Sequence, residues 1–118
     1  MRVYVAGPMR GYPQFNFPAF YKAAKKLRSK GHVVFNPAER DTKIYGSKLA
    51  KENDNGDATV AKKKFGFSLR EALAADTQWI CLRAQAIALL PGWEKSKGAQ
   101  AELALANALD LKVIFLKG

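Results

Sequence analysis

Strand-like runs alternate with helical patterns along the chain, and that alternation leaves few folds open. Residues 2–6 (Arg2-Val3-Tyr4-Val5-Ala6), 32–36, 84–90 and 112–116 read as strands; the last two are buried in character, being apolar almost throughout. Between the first pair, Phe17, Phe20, Ala24 and Leu27 recur at helical spacing. Asn16 is the candidate N-cap there, Pro18 suits the first turn, and Gly31 ends the pattern. Ser68, with Glu71 at the capping-box position, starts a second helix that runs to about Arg83. A third helix covers residues 97–109. The order β-α-β-loop-α-β-α-β predicts an α/β fold. The form expected is a small Rossmann-like (flavodoxin-like) parallel sheet of four to five strands flanked by helices. A length of 118 residues leaves room for one domain, taken as residues 1–118. Ligands of such sheets sit beyond the C-terminal strand ends, which here are residues 7–12, 36–41 and 91–98.

Residues 38–66 depart from the alternation. Lys, Asn, Asp and Gly dominate, and Ile44, Leu49 and Val60 are the sparse apolar positions. This predicts a long, mobile, basic loop inserted at about 40–66, with a helical turn near Tyr45–Lys51. The chain carries a formal net charge of +10, and residues 22–64 hold 12 of its 20 Lys and Arg against 5 of its 10 acids. Such a surface attracts anions, nucleic acid among them. The aromatic interleaving of a single-strand binder is missing from its most basic part, so a nucleic-acid binder is the weaker reading.

Several classes are excluded outright. No run approaches the roughly 18–20 apolar residues of a membrane span. One cysteine (Cys81) and one histidine (His32) allow neither an intrachain disulfide nor a Cys/His zinc site. The first residues enter a strand directly, with no visible leader, so a cytoplasmic location is expected. His32 reads as structural and Cys81 as an inert small hydrophobe in a helix.

The strongest chemical signal is Glu102. It lies in Gly98-Ala-Gln-Ala-Glu102-Leu-Ala-Leu-Ala-Asn-Ala-Leu109, a helix apolar nearly all round. A carboxylate there is expected to be desolvated, and helical side chains lean toward the N-terminus, so it points over Gly98, where there is open space. Ser96 caps the same helix and leaves backbone N–H groups at its positive end, an anion site. Asp76 supplies a second carboxylate, and paired carboxylates suit glycosidic chemistry. Arg10, in the loop Gly7-Pro8-Met9-Arg10-Gly11, suits a phosphate or carboxylate. Tyr4, taken alone, is ordinary core with a hydroxyl in need of a partner.

Three pieces in this order resemble the nucleoside 2-deoxyribosyltransferases and the 2′-deoxynucleoside 5′-phosphate N-hydrolases. They are Val3-Tyr4-Val5-Ala6-Gly7-Pro8-Met9-Arg10-Gly11, then Asp76-Thr-Gln-Trp79 with the strand that follows, and Ser96-Lys-Gly98-Ala-Gln-Ala-Glu102-Leu. The third is the most specific. The likeness covers most of the chain outside 42–66, and is closest to the small members found in phages and bacteria. It implies that Glu102 is the nucleophile toward the sugar C1′, that Asp76 handles the base's proton, and that Tyr4 orients the nucleophile. It implies further that Ser96, Gly98 and the loop 7–11 with Arg10 hold a 5′-phosphate. A serine at 96, where the transferases typically carry an acid, favours nucleotides over nucleosides. Two departures stand out: Ala84-Gln85 replaces a common Ala-Asp, with a possible effect on base contacts or on the acid's pKa, and the basic loop has no counterpart. No metal or organic cofactor is implied, and a homodimer or higher homo-oligomer is. The expected activity is cleavage of the N-glycosidic bond of a 2′-deoxynucleoside 5′-monophosphate, by hydrolysis or by transfer to another base. The alternative from a different class is a nucleotide-binding module without turnover.

Overall fold

The computed structural model describes residues 1–117. Its four strands are β1 (Arg2–Ala6), β2 (Val33–Phe35), β3 (Ala86–Leu89) and β4 (Lys112–Phe115). All pair in parallel, in the order β2-β1-β3-β4. Six helices connect them: α1 (Phe17–Ser29), α2 (Pro37–Tyr45), α3 (Lys48–Lys51), α4 (Ala58–Phe65), α5 (Leu69–Leu82) and α6 (Lys97–Ala108). This is a small Rossmann-like α/β fold, with four strands where the sequence predicts four to five. No helix among the described residues is long and apolar enough to cross a membrane.

The alternation of β1 divides the core. Val3 and Val5 face α1 and bury Phe20, Ala24 and Leu27 against the sheet. Tyr4 and Ala6 face the other way, toward Ile80 of α5 and Ala99 and Ala106 of α6. The chain leaves β1 toward β2 on one side and returns past it to β3 on the other. Crossovers of one hand therefore place α1 on one face and α5 and α6 on the opposite face. The switch in direction opens a crevice at the C-terminal ends of β1 and β3.

The stretch expected as a mobile loop at about 40–66 is instead largely helical, and this is a correction; only the helical turn expected near Tyr45–Lys51 has its counterpart, in α3. Asn36 caps α2, its Oδ1 accepting from the Ala38 N–H at 2.9 Å, with Pro37 in the first turn. Asp57 caps α4 by accepting from the Thr59 and Val60 N–H groups at 2.8 and 3.3 Å. Each helix is short and buries only a few small or apolar side chains, such as Ala38, Leu49, Ala50 and Ala61. Tertiary docking, not a broad apolar stripe, is what holds them.

Two contacts position this segment. Arg28 at the end of α1 grips both carboxylate oxygens of Glu39 at 2.8 and 2.6 Å, which anchors α2. The turn at 53–56 clasps the loop after β1: Gly11 N–H donates to the Gly56 carbonyl and Gln14 N–H to the Asn53 carbonyl, both at 2.9 Å. A Cβ on Gly56 would stand 2.3 Å from the Tyr12 carbonyl oxygen, so only glycine fits.

Asn16 also differs from expectation. It occupies the residue before α1 but makes no side-chain cap, and its Nδ2 donates to the Pro8 carbonyl at 3.1 Å. It ends a run of three left-handed residues, Gln14, Phe15 and Asn16, with φ of 54, 52 and 61°. Such conformations cost each L-residue roughly 1–2 kcal/mol. The burial of Phe15 against Phe17 and Phe67 and the grip of Asn53 hold the run in place.

Candidate active site

Tyr4 is the centre of the site, and the sheet fixes it. Its ring is buried, stacked on Phe35 of β2 at 5.6 Å, and Phe35 in turn meets Trp79 of α5 at 5.2 Å. The phenol therefore projects toward the α5–α6 side with no freedom to turn. Its hydroxyl donates to Glu102 Oε2 at 2.5 Å, across 98 positions of sequence. Charge-assisted bonds of this length belong to the strong class.

Glu102 lies in the second turn of α6 and is 6% exposed. Burial pushes its carboxyl up to about 8; the Tyr4 bond works against that rise and the charge of Asp76 adds to it. Asp76, on α5, is 8% exposed, and its Oδ1 meets no hydrogen-bond partner. Burial raises it to about 7, with Asp41 pushing the same way and Arg40 and the Tyr4 hydroxyl pulling it back. Burial and these two negative neighbours push the Tyr4 phenol well above its usual value, so it stays a donor.

A cavity of about 580 Å³ opens over these groups. Tyr4, Asp76 and Glu102 all line it. The loop after β1 supplies Gly7, Pro8, Met9, Arg10 and Gly11 to its wall. Ser96 and Gly98 line it from the start of α6. All ten site residues named from the sequence thus face one space. Ser96 Oγ accepts from the Ala99 N–H at 3.2 Å, and the Ser96 carbonyl takes the Gln100 N–H at 2.9 Å. Helix geometry leaves the N–H groups of Lys97 and Gly98 as free donors at this end. A Cβ at Gly98 would meet nothing within 4 Å, so the space in front of Glu102 is open.

Asp41 is the group the sequence alone does not single out. It sits on α2, 3% exposed, paired with Arg40 at 3.0 Å, and it lines the same cavity. Burial raises it to about 6 while Arg40 holds it down. The signal that could have found it is helical spacing: Pro37, Ala38 and Asp41 share one buried face once Asn36-Pro37 is read as a helix start. Lys95 and Lys97 also reach the wall, as do Phe67, Leu69 and Leu73. No group of three or more His, Cys, Asp or Glu among the described residues is placed to hold a metal ion.

Three further residues singled out in the sequence lie away from the cavity or do not line it. Gln85 lies just before β3, at the sheet end away from the cavity, where its Oε1 accepts the Arg2 N–H at 2.9 Å. Its departure from the resembled Ala-Asp therefore touches neither a base nor the pKa of Asp76. His32 contacts the N-terminal amine at 3.2 Å, also at that far end. Cys81 is exposed on α5 and is not a core hydrophobe.

The family model described as Domain of unknown function (DUF4406) matches residues 1–115. The chain belongs to the DUF4406 family. The DUF4406 match takes in all four strands, the three carboxyl-bearing helices and the loop after β1. No curated protein and no solved structure matches the chain.

Proposed function

We propose that this protein cleaves the N-glycosidic bond of a 2′-deoxynucleoside 5′-monophosphate through a covalent deoxyribosyl–Glu102 intermediate. The observation that carries this is the buried Glu102 carboxyl, held by Tyr4 at 2.5 Å, facing a cavity it shares with a second buried acid. The 5′-phosphate lies against the Ser96 hydroxyl, the Lys97 and Gly98 N–H groups and Arg10. An anion is favoured there by the helix end and the guanidinium together.

In the reactive form the proton of the acid pair sits on Asp76. A Glu102 oxygen bonds to C1′ as the C1′–N bond breaks; the electron pair leaves with the base, and Asp76 passes its proton to it. Tyr4 donates to the Glu102 carboxylate and keeps it aimed. In the second step Asp76, now ionised, takes a proton from water, whose oxygen bonds to C1′ as the C1′–O bond to Glu102 breaks. A second base in place of water makes the reaction a transfer. Deoxynucleotides are cytoplasmic compounds, which agrees with a cytoplasmic enzyme, and the resemblance further implies a homodimer or larger assembly.

One observation favours a second reading. Burial raises Glu102 to about 8, which works against the ionised form that a nucleophile needs. A protein that only binds nucleotides has no need of the ionised form. The test is release of free base from a panel of deoxynucleotides, ribonucleotides and nucleosides, with and without an acceptor base, and with Glu102→Ala as control. Release from phosphorylated deoxy substrates alone, abolished by the substitution, is the expected result. A folded protein that binds nucleotides and releases no base from any of them would replace the enzyme with the binding module.

A further inference from the structure

The strand order sets where the parts of a nucleotide lie in the cavity. Ser96 and Gly98 follow β3, Tyr4 belongs to β1, and Pro37 and Asp41 follow β2. Since β1 lies between β2 and β3, Asp41 and the anion-binding end stand on opposite flanks, with Tyr4 and Glu102 between them. A phosphate on the β3 flank and C1′ at Glu102 leave the base on the β2 flank. Leu69 and Leu73 line the same cavity, and Phe67, whose ring meets Tyr45 of α2 at 5.4 Å, puts apolar surface fit for a base plane on that flank. Its polar groups are two buried carboxyls, Asp41 and Asp76, and Asp76 Oδ1 has no partner within the protein.

We infer that Asp41 is a specificity residue: with Asp76 it selects a base whose 6-amino (purine) or 4-amino (pyrimidine) group stands beside a ring-nitrogen lone pair, as in adenine and cytosine, over the oxo counterpart. Asp76 donates its proton to the ring nitrogen, and Asp41 accepts from the amine. Arg40 bonds the Asp41 carboxylate directly, whereas it reaches Asp76 through its charge alone, so the acceptor and donor roles fall to them in that order. An oxo base in the same pose sets its carbonyl oxygen against the Asp41 carboxylate, acceptor against acceptor, and sites of this kind discriminate strongly.

This inference rests on the base-releasing reading above. Two substrate pairs differ only by amine against oxo: dAMP with dIMP, and dCMP with dUMP. For each nucleotide, kcat/KM is measured by base release and Kd by calorimetry, with wild-type protein and with Asp41→Asn. The amino member of at least one pair is expected to lead by about tenfold or more. Asp41→Asn, whose amide can donate to an oxo group, is expected to shrink that lead below about threefold by raising the oxo member. A melting curve of the variant confirms folding. Equal handling of both members by wild type, or an unchanged ratio in a folded variant, overturns the inference. Absence of base release throughout overturns the enzymatic reading instead; the Kd ratios then decide on Asp41 by the same two criteria. The dAMP and dCMP arms separate a purine from a pyrimidine site.

Discussion

At the scale of single residues, the site is a pair of acids with one proton between them and a phenol that leans on one of the two. With Asp76 near 7 and Glu102 near 8, the pair loses its protons in two overlapping steps that belong to both groups. In the proposed reaction the singly protonated state is the reactive one, so kcat/KM should trace a bell with its maximum between about pH 7 and 8. The Tyr4 bond favours the ionised form of Glu102. Tyr4→Phe removes it; because Glu102 holds the higher of the two values, the basic limb should move to higher pH and kcat should fall by about 10²–10³-fold. A pH–rate series on both proteins checks this; a variant with an unmoved basic limb would show that the phenol does not tune Glu102.

At the scale of elements, the clasp between the 53–56 turn and the loop after β1 does the positioning. Gly56→Ala sets a Cβ 2.3 Å from the Tyr12 carbonyl oxygen at a φ of +61°. The loop that carries Arg10 has to shift, at a cost of about 1–3 kcal/mol. A lower Tm, and a rise in KM that is larger for a phosphorylated substrate than for its unphosphorylated nucleoside, are the expected readouts. The same elements show what the sequence makes legible. The four strands, α1, α5 and α6 declare themselves through periodicity and apolar runs. Helices α2 and α4 do not, and α3 shows only as a turn near Tyr45–Lys51, because each buries between one and three side chains and offers no stripe to count. Ser96, Glu102 and Asp76 sit in elements with strong patterns, and so are found. Asp41, between Arg40 and Thr42 in a basic tract, resembles a solvated charge; its burial depends on where α2 docks, which no local pattern encodes.

At the scale of the molecule, three buried carboxyls tie stability to pH. Asp41, Asp76 and Glu102 all hold their protons more tightly when folded than an ordinary side chain does, at about 6, 7 and 8. Above about pH 4 the unfolded chain has released protons that the folded chain keeps. The folded state then binds more protons, so stability falls as pH rises, and the loss continues until pH passes the folded values. Thermal melts should give a lower Tm at pH 8 than at pH 5. Glu102→Gln, neutral at every pH, should flatten that slope; an equal or steeper slope in the variant would remove Glu102 from the account.

The long path between β2 and β3 has an evolutionary consequence. In the proposed reaction, bond cleavage draws on Tyr4, Asp76 and Glu102 of β1, α5 and α6, whereas α2 brings only Pro37 and Asp41 to the cavity wall. On the proposed reading Asp41 discriminates among bases without taking part in scission, so drift at that position can retarget the protein to a new nucleotide while Tyr4, Asp76 and Glu102, which break the bond, stay as they are.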